Sequence, residues 1–180
     1  LLYLKGKETI SVNVPTVDAL AIYTDGACKG NRNVAKSNNP AGWGFAVVEE
    51  GTPTFQQWGP VVTDKGDPHY LGAEVLSNNT AELSAIGEAL QYLVTRPTGL
   101  SNKAVICYDS KYAAHSVQGL MNGPKNSALI TRCRALLAKA QSLYTLTFRH
   151  IKGHSSHRFN DMADSLANKG AKGGRGATKI

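Results

Sequence analysis

Long apolar runs are missing from this chain of 180 residues. No stretch approaches the roughly 20 apolar residues that a membrane-spanning helix needs, and the N-terminus lacks the basic-then-apolar layout of a signal peptide. Both absences point to a soluble, intracellular protein with no membrane partner. Cysteine is scarce: Cys28, Cys107 and Cys133 are odd in number and irregularly spaced, which argues against a disulfide framework and a zinc knuckle and suits a reducing compartment. Acidic residues are outnumbered, 13 against 20 Lys and Arg, leaving a net charge of +7. Two common catalytic devices are also absent: no glycine-rich phosphate loop leads into Lys-Ser/Thr, and no serine sits in a nucleophile elbow.

With 42% apolar residues, the chain can bury one core without staples. The basic excess favours a polyanionic partner, because clustered cations gain affinity by releasing the counterions condensed on phosphates. Part of that excess lies near the C-terminus, where Lys169, Lys172, Arg175 and Lys179 meet no acid and Gly170 to Gly176 is glycine-rich; residues 172–180 read as a basic flexible tail. The chain opens on Leu1, which reads as a processed product or a piece of something longer. Residues 1–18, with Val12 and Val14 before Pro15, read as an N-terminal extension, an edge strand or a linker. The domain itself is expected over 19–171, as a monomer.

Patterning predicts strands at Ala19 to Thr24, Trp43 to Val48 and Thr54 to Trp58, the last two joined by a turn at Glu50-Gly51-Thr52-Pro53. Two polar stretches, Lys29 to Pro40 and Gly59 to Leu76, read as long loops. Ala85, Ile86, Ala89, Leu90 and Leu93 give helical spacing over Ala81 to Val94, stopped at Arg96-Pro97. Ala104 to Tyr108 has the apolar, β-forming composition of a strand covered on both faces. Helices from Lys111 and over Ser127 to Ala140, a strand at Tyr144 to Arg149 and a helix over Asn160 to Ala171 complete the chain. This order predicts an α/β fold around a five-stranded mixed sheet, three antiparallel strands then two parallel, with helices on both faces.

Open sheets of this kind bind ligands beyond the carboxyl ends of their parallel strands. Asp25 and Asp109 each end such a strand in this reading, although turn chemistry at Asp25-Gly26 and a cap at Asp109-Ser110 would explain them structurally. With Asn79 as the cap of its helix, Glu82 takes the third helical position, where a capping box is one role. It also falls on the sheet-facing stripe, where a lone acid is costly unless it is paired or binds a metal. At 100° per residue Asp164 lies on the flank of the last helix's apolar face, whereas Asp161 falls outside it and faces water.

Four carboxylates without a Cys–His cluster specify a hard divalent cation, magnesium by preference with manganese able to substitute. Two such ions about 4 Å apart would serve in-line displacement at a phosphodiester. A zinc site on His150, His154 and His157 is disfavoured by their spacing and the lack of a fourth ligand.

Four motifs now stand in order: Tyr23-Thr24-Asp25-Gly26-Ala27-Cys28 with Gly42-Trp43-Gly44; Asn78-Asn79-Thr80-Ala81-Glu82-Leu83; Tyr108-Asp109-Ser110-Lys111-Tyr112; and Lys152-Gly153-His154 with Asn160 and Asp164-Ser165-Leu166-Ala167. Together, from about Ala21 to Ala171, they resemble type 1 ribonuclease H. The resemblance implies a ribonuclease H-like fold and metal-dependent hydrolysis of the RNA strand of RNA–DNA hybrids to 5′-phosphate and 3′-hydroxyl products. It implies that Asp25 bridges two ions, that Glu82 and Asp109 hold the one on the leaving-group side, and that Asp164 holds the one binding the attacking water. His154 matches a mobile histidine that assists proton transfer or product release. Asn31, Asn78, Asn79, Ser110, Lys111 and Asn160 fall at hybrid-contacting positions, and Ser77 with Asn126 at a pocket for a DNA-strand phosphate. Such readout concerns the 2′-hydroxyl and duplex shape rather than base sequence.

The chain departs from the pattern in places. Gly119 to Lys125 carries one basic residue, so the basic protrusion that helps many members grip hybrids is absent; Lys111 stands where glutamine is common. The long loops also occur in retroelement-encoded members, which together with Leu1 points to a polyprotein or reverse-transcriptase origin. Two other readings stand beside this one. Related integrase and exonuclease patterns fit poorly, because Glu82 comes second among the acids and Ala27 stands where a second acid would be needed. A catalytically inactive hybrid-binding module would be expected to have lost a carboxylate, yet all four are present.

Overall fold

The computed structural model describes residues 19–30, 39–97, 101–153 and 157–180. The described elements are β1 (Leu20–Cys28), β2 (Ala41–Glu49), β3 (Thr52–Pro60), α1 (Asn78–Thr95), β4 (Lys103–Tyr108), α2 (Lys111–Val117), α3 (Ser127–Leu143), β5 (Thr145–His150), α4 (Arg158–Ala171) and β6 (Gly176–Lys179). They build one mixed sheet of order β5-β4-β1-β2-β3-β6. The first three strands form an antiparallel meander. Its turn puts Glu50 and Gly51 at φ 51° and 75°, the left-handed pair that matches strand twist in a tight hairpin. β4 and β5 then add on in parallel beside β1.

Alternation along the strands creates two buried faces. Leu20, Ile22, Trp43, Phe45 and Val47 join Leu83, Ile86, Leu90 and Leu93 of α1, with α3 behind contributing Leu129, Cys133 and Leu137. On the opposite face Tyr23, Val48, Val105 and Cys107 pack with Ala163 of α4 and the partly buried Phe159. From Ala104 to Tyr108 every residue of β4 is buried, as its composition predicts. Helices therefore cover both faces. α4 lies unusually low on the sheet: a methyl at Gly44 would sit 2.5 Å from the Leu166 Cβ, and one at Gly42 would strike the Gly170–Ala171 backbone.

Three expectations change. The sheet has six strands, not five. The stretch read as a flexible tail supplies the sixth, with Phe55 to Trp58 pairing to Lys179 through Gly176. Glycine-rich basic composition resembles disorder, but β3 offers a free edge, and Gly176 lies so close to the Trp58 ring that no side chain would fit. The Asp25 residue does not end β1. Parallel pairing to β4 stops at Tyr23, while antiparallel pairing to β2 carries β1 on to Cys28. Finally, α1 begins earlier than expected, capped by Ser77 rather than Asn79, its hydroxyl accepting from the Thr80 N–H at 3.1 Å. Glu82 is thus too deep in the helix for a capping box. Residues 1–18 lie outside the described residues, and no helix among those described is long and apolar enough to cross a membrane.

Candidate active site

Where β1 outruns β4, the sheet opens a gap beside Asp25. Asp109 follows β4 directly, and the first turns of α1 bring Glu82 down against β1. That approach is allowed because Gly26 has no side chain: a Cβ there would strike the Ala81–Glu82 backbone. Asp25, Glu82 and Asp109 each offer an oxygen within 4.8 Å of the others. Asp25 is 6% and Glu82 7% exposed, which is far below what solitary acids tolerate. Asp164, exposed on α4, lines the same open cleft of about 250 Å³, together with Gly26, Ala27, Cys28, Asn78 and Asn168. Asp161 is exposed and does not line it.

The electrostatics follow from this crowding. Burial, then the charge of Asp109, pushes the Asp25 carboxyl up to about 7, against the pull of hydrogen bonds from Glu82 and the Gly26 N–H. Burial, then Asp25 and Asp109, holds Glu82 well above the usual carboxylate range. A side-chain hydrogen bond joins the two, lowering Asp25 and raising Glu82, so that Glu82 is the donor and Asp25 the acceptor. Oxygen-only donors, mutually repelling and partly desolvated, suit a hard divalent cation, which would replace the protons.

Local contacts surround three of the acids. The Gly26 N–H donates to Asp25 Oδ1 at 2.9 Å. A methyl on Gly153 would come within 3.1 Å of Asp109 Oδ2, and a ring nitrogen of His150 lies 3.2 Å from the Asp109 carbonyl. The Asn168 carboxamide donates to the Asp164 carbonyl at 2.9 Å and to its carboxylate at 3.4 Å. Sequence reasoning missed Asn168, although its place one turn after Asp164 on the same helix was a usable signal.

The expected substrate contacts are placed unevenly. Asn78 lines the cleft, and Asn79 is half-buried in the same turn of α1. Ser110 caps α2, its hydroxyl accepting from the Ala113 N–H at 3.2 Å, beside the exposed Lys111. Ser77 and Asn126 are brought together through a residue that the sequence did not single out: Thr80 donates to Asn126 Oδ1 at 2.9 Å and lies 2.8 Å from Ser77 Oγ. Asn126 in turn donates to the Tyr112 hydroxyl at 3.1 Å. Asn160 is 5% exposed, which leaves it little surface to offer a substrate. Asn31 and His154 lie outside the described residues.

A carboxylate cluster beside the central parallel strand of a helix-covered mixed sheet defines a class, the metal-dependent phosphodiester hydrolases. The ribonuclease H family model matches residues 17–172. A ribonuclease H of Janthinobacterium sp. (strain Marseille) is 30% identical over 166 residues, covering 87% of this chain and 98% of that protein. The chain belongs to the ribonuclease H family of endoribonucleases. Among solved structures, RNase H1 of Halobacterium salinarum NRC-1 superposes with a TM-score of 0.62 at 20% identity, covering 86% of this chain and 98% of that one. LC11-RNase H1 in complex with an RNA/DNA hybrid gives 0.60 at 22%, covering 85% and 96%. At these identities the structural likeness speaks for the fold alone.

Proposed function

We propose that residues 19–171 form a ribonuclease H domain that cuts the RNA strand of RNA–DNA hybrids, leaving 5′-phosphate and 3′-hydroxyl ends. The observation that carries this reading is the convergence of Asp25, Glu82 and Asp109 within 4.8 Å, with Asp164 lining the same cleft. Two magnesium ions, or manganese in their place, would supply a nucleophilic water at neutral pH and charge stabilisation for the leaving oxygen. By resemblance, Asp25 would contribute to both ions, Glu82 and Asp109 to one, and Asp164 to the other.

The chain's own residues do the positioning. A ring nitrogen of His150 lies against the Asp109 backbone carbonyl, and Asn168 donates to the Asp164 carboxylate, so the scissile phosphodiester meets acids whose backbone or side chain is already positioned. Asn78, at the cleft wall, is suited to the 2′-hydroxyl; by resemblance Asn79, Ser110 and Lys111 add hybrid contacts, whereas buried Asn160 would act from behind the surface. Ser77 and Asn126, joined through Thr80, would take a DNA-strand phosphate. By resemblance alone, Asn31 adds a hybrid contact and His154 moves a proton or eases product release. The RNA/DNA hybrid bound by LC11-RNase H1 supports the choice of substrate. An intracellular monomeric domain, drawn from a polyprotein or reverse transcriptase, is the setting this reading favours.

The decisive experiment compares the parent with Asp109→Asn on labelled RNA–DNA, RNA–RNA and DNA–DNA duplexes, with magnesium or with chelator. The expected outcome is cleavage of the hybrid's RNA strand only, and only with metal, while the variant retains binding but loses about 10²-fold or more in turnover. Parent-like turnover in the variant, or cleavage in chelator, would overturn the reading.

A further inference from the structure

Beside the acidic cleft lies a second one of about 440 Å³, lined by Cys28, Lys29, Pro40, Asn168, Ala171 and Lys172. Cys28 and Asn168 belong to both and form the partition. Their linings are opposite in charge: four carboxylates and no base in the first, two lysines and no acid in the second. Lys29 directly follows β1, where its N–H donates to the Pro40 carbonyl at 2.8 Å and closes the loop between them. Lys172 is the C-cap of α4, eight residues beyond Asp164 and therefore about 12 Å along the same helix. Both lysines are exposed, and the ion pair found among the described residues, Arg96 with Glu49, involves neither. Lys169, between Asp164 and Lys172 along the chain, is instead drawn over the Trp58 ring at 5.1 Å.

A nucleic-acid strand entering the acidic cleft has a charge problem on either side of the scissile bond. At the bond itself cations held by the carboxylates offset the repulsion. One unit further along, a phosphate would face the Asp164 side of the cleft with nothing to balance it unless side chains supply the charge. The second cleft has the required form: a floor of Pro40, Ala171 and buried Cys28 for the sugar, and a cationic rim for the phosphate.

We propose that this second cleft holds the RNA strand next to the scissile phosphodiester, with Lys29 and Lys172 contacting its phosphates. The RNA strand is the one implicated, because the two clefts adjoin at Cys28 and Asn168 and the strand that is cut occupies the first. The proposal thus rests on the hybrid-cleaving reading above.

The test is Lys29→Ala with Lys172→Ala, measuring affinity for a fluorescent hybrid by anisotropy, in chelator, across a potassium chloride series. The expected result is a plot of log K against log salt shallower by about 2 than the parent's, one for each phosphate that a lysine no longer neutralises. KM rises several-fold, with the loss falling on KM rather than kcat, and arginine at both positions restores it. Parent and variant should still differ when the DNA strand carries neutral methylphosphonates. Parallel salt slopes, or a difference that vanishes with the neutral DNA strand, would overturn the proposal. If the double variant does not fold, Lys29→Gln and Lys172→Gln each carry the test, with an expected slope change of about 1. Failure of the underlying reading looks different: the parent itself would not cut hybrids with magnesium.

Discussion

Glu82 and Glu88 stand six residues apart on α1, and burial is the first cause that raises the pKa of each. Their surroundings separate them. Glu82 faces Asp25 and Asp109, whose charges push it further in the same direction. Glu88, raised to about 7, faces the Arg175 guanidinium, which pulls it back. A perturbed acid is therefore not a site in itself. What makes one is company of the same charge, held together against its own repulsion, because only that arrangement has something to gain from a cation.

The comparison predicts opposite costs. Glu82→Gln should lower turnover on hybrids by about 10³-fold, the several kcal/mol that a displaced metal ligand represents, and a loss under tenfold would return Glu82 to a structural role. Glu88→Gln should leave kcat within about twofold.

Metal should sharpen the contrast. In the metal-free protein the raised values of Asp25 and Glu82 mean that protons stabilise the fold: that stability is present below the ordinary carboxylate range and is lost as pH rises through about 7. Magnesium at saturating concentration should restore it, raising Tm at pH 8 by about 5 °C or more in the parent and by much less in Glu82→Gln. The gain should shrink as pH falls below about 7, since the protons must leave first. A gain independent of pH would separate metal binding from this cluster.

The smallest effect belongs to Glu88. Its elevation also favours the fold below pH 4.5 and costs stability as pH climbs to about 7. Glu88→Gln should therefore match the parent at pH 4 and exceed it above pH 7 by roughly 1–2 kcal/mol in chemical denaturation, less than the full shift implies because the side chain is only half-buried. Equal stability at both pH values would show that Arg175 compensates Glu88 completely.

Much of this was legible in the chain itself. Glu82 and Asp164 stood out by helical period and Asp109 by its place after β4, and the 100° rule separated Asp164 from Asp161; Asp25 was singled out for a strand end it does not occupy, since β1 runs on to Cys28. What escaped depended on partners distant in sequence. Ser77-Asn78-Asn79-Thr80 offers four residues able to cap a helix, and the choice falls on Ser77 in a setting shared with Asn126, 46 residues from Thr80. Strand β6 escaped because its pairing comes from backbone groups that β3 leaves open, which no side-chain pattern announces. Lys29 and Lys172 carry no local signal at all; only the approach of α4 to the end of β1 makes them neighbours.

That approach has a consequence for the spacing of the acids. Asp25, Glu82 and Asp109 are anchored to the sheet or to a helix pressed upon it, but Asp164 rides on α4, whose height is set by Gly42 and Gly44 in the strand beneath. One added methyl in β2 would lift the helix and carry its carboxylate away from the other three, and an ångström of displacement is enough to cost about 10²-fold in an enzyme. The reach between the two halves of the site is thus gauged by hydrogen atoms, at positions with no side chain and no part in the chemistry.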